Sequence, residues 1–207
     1  MNSNEVKRFV KLIKLNKTQR EIIVGLLLGD GHLETQNNGK TFHLKVEHSI
    51  NQKVYVDWLY VKLRNLVLTS PQSKKQIIEG KKYEKYWFNT VSLPSFRFYG
   101  QQFYPKEEKV IPKIISRLVT PLSLAIWFMD DGSRKSNVHR ALILNTQGFD
   151  QASIDVIQDV LLKKFNIATT LRKQKEGNQI YIPATQVEKF ISLIKSHIIS
   201  SMKYKLS

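Results

Sequence analysis

The sequence predicts an α+β fold of two pseudo-symmetric αβαββα lobes, residues 1–118 and 119–207, meeting through a central pair of helices. Three observations carry that prediction. Two apolar segments about a hundred residues apart are built alike, and both stop at Asp-Gly. Behind each, the apolar spacing changes from helical to period two and back again in the same order. No Pro/Gly/Ser-rich linker or low-complexity tract divides the halves, so the lobes read as one compact body.

The first apolar segment, Ile22 to Gly31, follows Asn16-Lys17-Thr18-Gln19, where Asn16 or Thr18 suits a helix N-cap. The second, Pro121 to Gly132, has Thr120 as its cap and Pro121 at the first helical position. Each is apolar all round, which predicts burial against another helix, and each is the natural partner of the other. In Thr41 to His48, Phe42, Leu44 and Val46 alternate with polar residues, the pattern of a strand with one wet face. Asn51 to Leu68 reads as a helix with Val54, Trp58, Val61 and Leu66 on its apolar side. Strands at 74–79 and 82–91 flank a turn at Glu79-Gly80-Lys81, and helical pieces at 94–104 and 107–118 lead to Pro121. The second half repeats the order: a strand at 140–146, a helix at 151–165, strands at 168–174 and 179–183 across Glu176-Gly177-Asn178, and a helix at 185–198.

Of 207 residues, 33 are Lys or Arg and 17 are Asp or Glu, a net charge of +16. So large an excess points to a phosphate backbone as partner, because nucleic acid offers negative charge along its whole length. The absence of cysteine excludes disulfides, zinc fingers, thiol catalysis and Fe–S clusters. No apolar run approaches the roughly 20 residues of a membrane span. The first fifteen residues interleave basic and apolar types without the apolar core of a secretory signal.

An aspartate at the C-terminal tip of a buried helix sits where the helix already carries partial negative charge, and a second acid nearby worsens the conflict. If the two apolar helices lie side by side, Asp30 and Asp131 meet at one end and a divalent cation would neutralise both. Hard, oxygen-liganded Mg²⁺ is the natural candidate. Such an ion activates water, orients a phosphodiester and stabilises the leaving oxygen. The plainer reading of one Asp-Gly is a helix stop; two copies on matched apolar helices in a basic chain favour the metal.

These residues resemble the paired signatures of the LAGLIDADG homing endonucleases, with Ile23 to Gly31 and Leu124 to Gly132 in register with the nine-letter motif. The resemblance is closest to single-chain, two-motif members and extends through Gly25 to Leu33, Gly39 to Glu47, Lys109-Val110-Ile111-Pro112, Thr120 to Gly132, Leu142 to Gln147 and Lys203 to Leu206. It implies that Asp30 and Asp131, the acids before each final glycine, hold the catalytic metals, with Gly29 and Asp130 beside them in the metal set. Asp130 adjoins Asp131, and the motif register selects Asp131. By the same resemblance Lys109 and Lys205 activate or position the attacking water, acting as charge clamps or as bases, while Lys45 and Asn145 organise solvent around the metals. Spacing agrees with duplicated sites: Asp30 to Lys45 is 15 positions (45 − 30) and Asp131 to Asn145 is 14 (145 − 131). Lys109 and Lys205 follow their aspartates by 79 (109 − 30) and 74 (205 − 131). The copies differ in that the first has Gly25 and Gly29 where the second has Ile126 and Asp130, which predicts an asymmetric helix pair. Lys45 and Asn145 differ in kind, which predicts unequal metal surroundings and sequential nicking of the two strands.

The resemblance further implies two antiparallel sheets forming a DNA-binding saddle, cleavage across the minor groove with short 3′ overhangs, and an intron or intein context. The flanks carry no splicing-domain residues, so a free-standing or intron-encoded chain is expected. Candidates for DNA contact are His43, Lys45 and Glu47 on the first strand, Lys74, Lys75, Lys82 and Lys85 around the first hairpin, Arg140, and Thr170, Arg172, Gln174 and Gln179 on one face of the second hairpin. Tyr83, Tyr86, Trp87 and Phe88 leave the first hairpin's face unassigned. The expected cofactor is Mg²⁺, with Mn²⁺ able to substitute. The expected partner is double-stranded DNA, met by a monomer in an organelle or a prokaryotic cytoplasm, with no membrane partner. Two other functions fit the same scaffold: an RNA maturase acting on its own intron, and a DNA-binding regulator that has lost its metals, although both acids are present here.

Overall fold

A computed structural model describes residues 9, 10, 12–136 and 138–206. Residues 1–8, on which the reading against a secretory signal partly rests, lie outside the described residues. Helix α1 (Lys17–Leu28) opens with a reciprocal capping pair. Asn16 Oδ1 accepts from Gln19 N–H at 2.9 Å, and Gln19 Oε1 accepts from Asn16 N–H at 3.2 Å. Between the two cap candidates, Asn16 is the one used, and Thr18 lies inside the helix.

The residues cluster into two compact units that interleave along the chain. One holds the residues through Arg20 together with Asp30–Gln101, and the other holds Glu21–Gly29 with the residues from Gln102 onward. In the first unit, β1 (His32–Glu34), β2 (His43–Ser49), β3 (Gln72–Ile78) and β4 (Lys81–Asn89) form an antiparallel sheet in the order β1-β2-β4-β3. Leu44, Val46 and Phe88 form its buried face. The β3–β4 connection is a two-residue turn with Glu79 at φ 50° and Gly80 at φ 75°, both left-handed, as a tight hairpin requires.

Helix α2 (Lys53–Leu63) buries Tyr55, Val56, Leu59 and Leu63, with Leu66 in the turn that follows. The sequence-derived apolar side is corrected here: Val54 is 62% exposed and Val61 69%. Both stripes have helical spacing, but Tyr55-Leu59-Leu63-Leu66 offers more apolar area to bury, and area decides the rotation. Helix α3 (Phe96–Phe103) closes this part of the chain.

In the second unit, α4 (Ile115–Leu118) is all that forms of the helix expected over 107–118, because Glu107 adopts a left-handed φ of 65° and Pro112 interrupts the run. Helix α5 (Pro121–Asp131) begins as read: the Thr120 hydroxyl accepts from Ser123 N–H at 3.3 Å, and Pro121 fills the first turn. Strands β5 (Gly132–Arg134), β6 (Leu142–Leu144), β7 (Thr170–Gln174) and β8 (Gly177–Ile182) form a second antiparallel sheet, β5-β6-β8-β7. Helices α6 (Gln151–Phe165) and α7 (Ala184–Ile194) contribute Ile154, Ile157, Leu161, Phe190 and Ile194 to its core.

Each sheet has four strands where the sequence showed three. Strands β1 and β5 are three residues long and directly follow the Asp-Gly pairs, too short for period two to be visible. The two apolar helices do pack together within the second unit. Ile22 to Leu28 and Ser123 to Met129 are buried, and the Ser123 hydroxyl donates to the Glu21 carbonyl at 2.9 Å. A Cβ on Gly25 would lie 2.5 Å from Ile126 Cβ and 2.7 Å from the Ser123 carbonyl oxygen, and one on Gly29 would lie 2.6 Å from Asp130 Cβ. The predicted asymmetry is thus complementary, with each glycine notch filled by the residue at the matching position of the other helix. No helix among the described residues is long and apolar enough to cross a membrane.

Candidate active site

Asp30 leaves the tip of α1 with its side chain half exposed, and its Oδ2 lies 3.4 Å from Nδ1 of His48 on β2. Asp30, His32, Glu34, Lys45, Glu47 and His48 line a recess of about 290 Å³. Several carboxylate oxygens converge on it, a donor set that suits a hard divalent cation. Around them runs a chain of alternating charges. Glu34 lies 3.1 Å from His43 Nε2 and 3.7 Å from Lys45 Nζ; Glu47 lies 3.7 Å from Lys45 Nζ and accepts from Lys85 Nζ at 2.6 Å. Burial alone would push the Glu47 carboxyl up. The Lys85 hydrogen bond and the fields of Lys45, Lys85 and Lys74 outweigh burial and hold it below the usual range.

In the second unit, each predicted lysine caps a helix end. Lys109 Nζ donates to the Gly29 carbonyl at 2.5 Å, and Lys205 Nζ donates to the Asp130 carbonyl at 3.1 Å and to the Met129 carbonyl at 2.5 Å. Each ammonium therefore reaches the carbonyl of the residue preceding its motif aspartate, where the helix dipole is most negative. Asp130 turns its side chain onto Gly29, while Asp131 ends α5 and its carbonyl accepts from Asn145 N–H at 3.1 Å. Asn145 Oδ1 accepts from Gln179 Nε2 at 2.7 Å.

Strand register revises which residues are counterparts. Gly132 pairs with Leu144, so Asp131 stands across from Asn145. His32 pairs with Lys45, and continuing that register outward sets Asp30 across from Glu47. Glu47 is thus the positional equivalent of Asn145, and Lys45 is the equivalent of Ile143. The near-equal spacings of 15 and 14 hid this because the connection between the first two strands is three residues shorter in the second copy (47 − 30 = 17 against 145 − 131 = 14).

Register also assigns the hairpin faces. Lys74 pairs with Lys85, and both share the face of His43, Lys45 and Glu47, whereas Lys75 opposite Glu84 and Lys82 opposite Ile77 fall on the other face. The sequence reading missed Gln72 and Gln76 and left Tyr83 and Trp87 unassigned; all four join Lys74 and Lys85 on the outward face. Of the four aromatics, Phe88 is core and Tyr86 donates its hydroxyl to Asp57 Oδ1 at 2.9 Å. Once Phe88 is known to point inward, alternation assigns the rest. In the second hairpin, Arg172 pairs with Gln179 and Gln174 with Gly177, so Thr170, Arg172, Gln174 and Gln179 do share a face. Arg140 is exposed in the segment before β6.

Acid-tipped helices in duplicate, each with a lysine on its last carbonyls, and two antiparallel sheets rich in basic and amide side chains make up the architecture of a DNA endonuclease. The chain belongs to the LAGLIDADG DNA endonuclease family, whose model matches residues 20–190. It is 30% identical to the DNA endonuclease I-ChuI of Chlamydomonas applanata, over 94% of this chain and 97% of that protein. It is 31% identical to the probable intron-encoded endonuclease 1 of Wickerhamomyces canadensis, over 99% of this chain and 91% of that protein. It is 33% identical to the cytochrome b mRNA maturase bI2 of Saccharomyces cerevisiae, over 93% of this chain but 48% of that protein. Among solved structures, the homing endonuclease I-WcaI bound to its DNA recognition sequence superposes with a TM-score of 0.94, at 30% identity, over 100% of this chain and 93% of that one. A doubly substituted variant of I-DmoI, 13% identical and solved with its nicked target DNA in the presence of Mn, shares the fold at a TM-score of 0.53 over 87% of this chain and 97% of that one.

Proposed function

We propose that this chain is a site-specific homing endonuclease that hydrolyses one phosphodiester bond in each strand of a long duplex target and so promotes the mobility of an intron. The observation that carries the reading is the repeated arrangement of lysine, helix-end carbonyl and aspartate at Lys109, Gly29, Asp30 and at Lys205, Asp130, Asp131. Asp30 and Asp131 would hold the divalent cations, with Gly29 and Asp130 as their neighbours in the site. Bound Mg²⁺, or Mn²⁺ in its place, would supply an activated water and charge compensation at the scissile phosphate. Lys109 and Lys205 neutralise the helix ends and stand ready to offset phosphate charge. Lys45, Asn145 and the register partner Glu47 order solvent beside the acids. The outward faces of the two sheets meet the duplex, and Arg172, Lys74 and Lys85 are suited to guanine or phosphate. The repeat itself spans lobes 1–118 and 119–207, acting in one chain as a monomer within an organelle or a prokaryotic cytoplasm.

The deciding experiment uses Asp30→Asn and Asp131→Asn on a duplex selected for cleavage from a randomised library with Mg²⁺. Each variant is expected to lose double-strand cleavage and keep duplex binding, since binding rests on the sheets. Full double-strand cutting by either would overturn the assignment. The likeness to a cytochrome b mRNA maturase favours a second reading, in which the same chain also binds its intron RNA. Comparing affinity for intron RNA and for duplex DNA at matched salt separates the two.

A further inference from the structure

We propose that His48 is a positioning residue for the Asp30 carboxylate, a histidine support that the other copy, with Thr146 at the matching position, does not repeat. This rests on the reading of Asp30 as a metal-holding acid.

A metal-holding acid at a helix end works best when a neighbour fixes its rotamer. His48 is built for that role. It is the next-to-last residue of β2 and lies on the core face, beside Glu47, with a side chain only 3% exposed. Its ring is set by the fully buried Tyr55, with ring centroids 5.2 Å apart and planes at 59°. Tyr55 in turn stacks on Trp58 at 6.2 Å. From this packing Nδ1 reaches Asp30 Oδ2 at 3.4 Å. A histidine among Leu44, Val46 and Phe88 is a poor choice for packing alone, because burying an imidazole costs free energy that a leucine would not incur. The matching position of the other copy is Thr146, one residue beyond Asn145. Its buried hydroxyl donates to the Asn178 carbonyl at 2.7 Å and supports the hairpin instead.

If His48 acts on Asp30 alone, the two strands should respond differently when the ring is removed. The test follows single-turnover cleavage in Mg²⁺ of a library-selected duplex labelled on each strand in turn. His48→Leu is expected to slow one strand by on the order of tenfold or more, with less than about twofold change on the other strand and in duplex affinity. His48→Asn, whose amide sits near the place of Nδ1, should recover most of the lost rate, and His48→Gln, whose amide extends past it, should not. Equal slowing of both strands, or no slowing of either, overturns the proposal. If His48→Leu fails to fold, the Asn and Gln variants decide, and equal behaviour of the two overturns it. Asp30→Asn is run in parallel. Full cutting by that variant sinks the reading of Asp30 itself, whereas an inactive Asp30→Asn with an indifferent His48→Leu sinks only the role of His48.

Discussion

Gly25 and Gly29 show how single residues set the geometry that the chemistry needs. With no Cβ they let α1 approach α5 closely enough for Ile126 and Asp130 to occupy the space a side chain would take. Gly25→Ala should therefore destabilise the protein by about 1–3 kcal/mol, as overpacked cores do. Urea denaturation measures it. Pairing Gly25→Ala with Ile126→Gly should cost less than the two single changes added together, since the Cβ conflict is removed, although the Ser123 carbonyl still crowds the site. Strict additivity would show that the two positions do not touch. At the same scale, Glu47 was read from sequence as a DNA contact, but its role as the counterpart of Asn145 was not legible. That identity depends on strand pairing, which a three-residue difference in connection length concealed.

Among the elements, α6 was legible in its bounds, and the structure adds its caps. Asp150 accepts from Ser153 N–H at 2.8 Å at the start, Asn166 takes a left-handed φ of 55° at the end, and the helix runs over the residues that the sequence marked. The Ser153 side chain and backbone N–H hold the Asp150 carboxyl below its ordinary value. A depressed carboxylate stabilises the fold above its unfolded pKa of about 4, and the benefit is lost as pH falls through the folded value. The stability gap between the wild type and Asp150→Ala should be constant near neutrality and close below about pH 4. Melting temperatures across that range check it, and a gap that persists at low pH would show that the carboxylate charge is not what caps the helix. Helix α2 was the opposite case. Two apolar stripes ran along it, and only the sheet it covers selected Tyr55, Leu59 and Leu63 over Val54 and Val61.

For the molecule as a whole, a charge of +16 predicts duplex binding that weakens steeply with salt. Lys74, on the outward face with Lys85, should contribute to that slope, and Lys74→Ala should reduce its magnitude by about 1. Lys75 points the other way, and Lys75→Ala should change the slope less. Filter binding over a salt series distinguishes them. Equal effects would mean that the sheet face is not the one that meets the backbone.

The sequence alone determined the duplicated α+β order, the nucleic-acid partner, the two aspartates and the lysines that follow them. The order, the partner and the aspartates follow from composition, periodicity and repeat, which are local or cumulative along the chain, while the lysines are what the family resemblance implies. Tertiary structure alone decided the short fourth strand of each sheet, the face of the first hairpin, the β1–β2 register that sets Asp30 opposite Glu47, and the histidine beside Asp30. Each of those depends on register between segments far apart in sequence, and a one-residue shift in pairing reverses every side chain it touches.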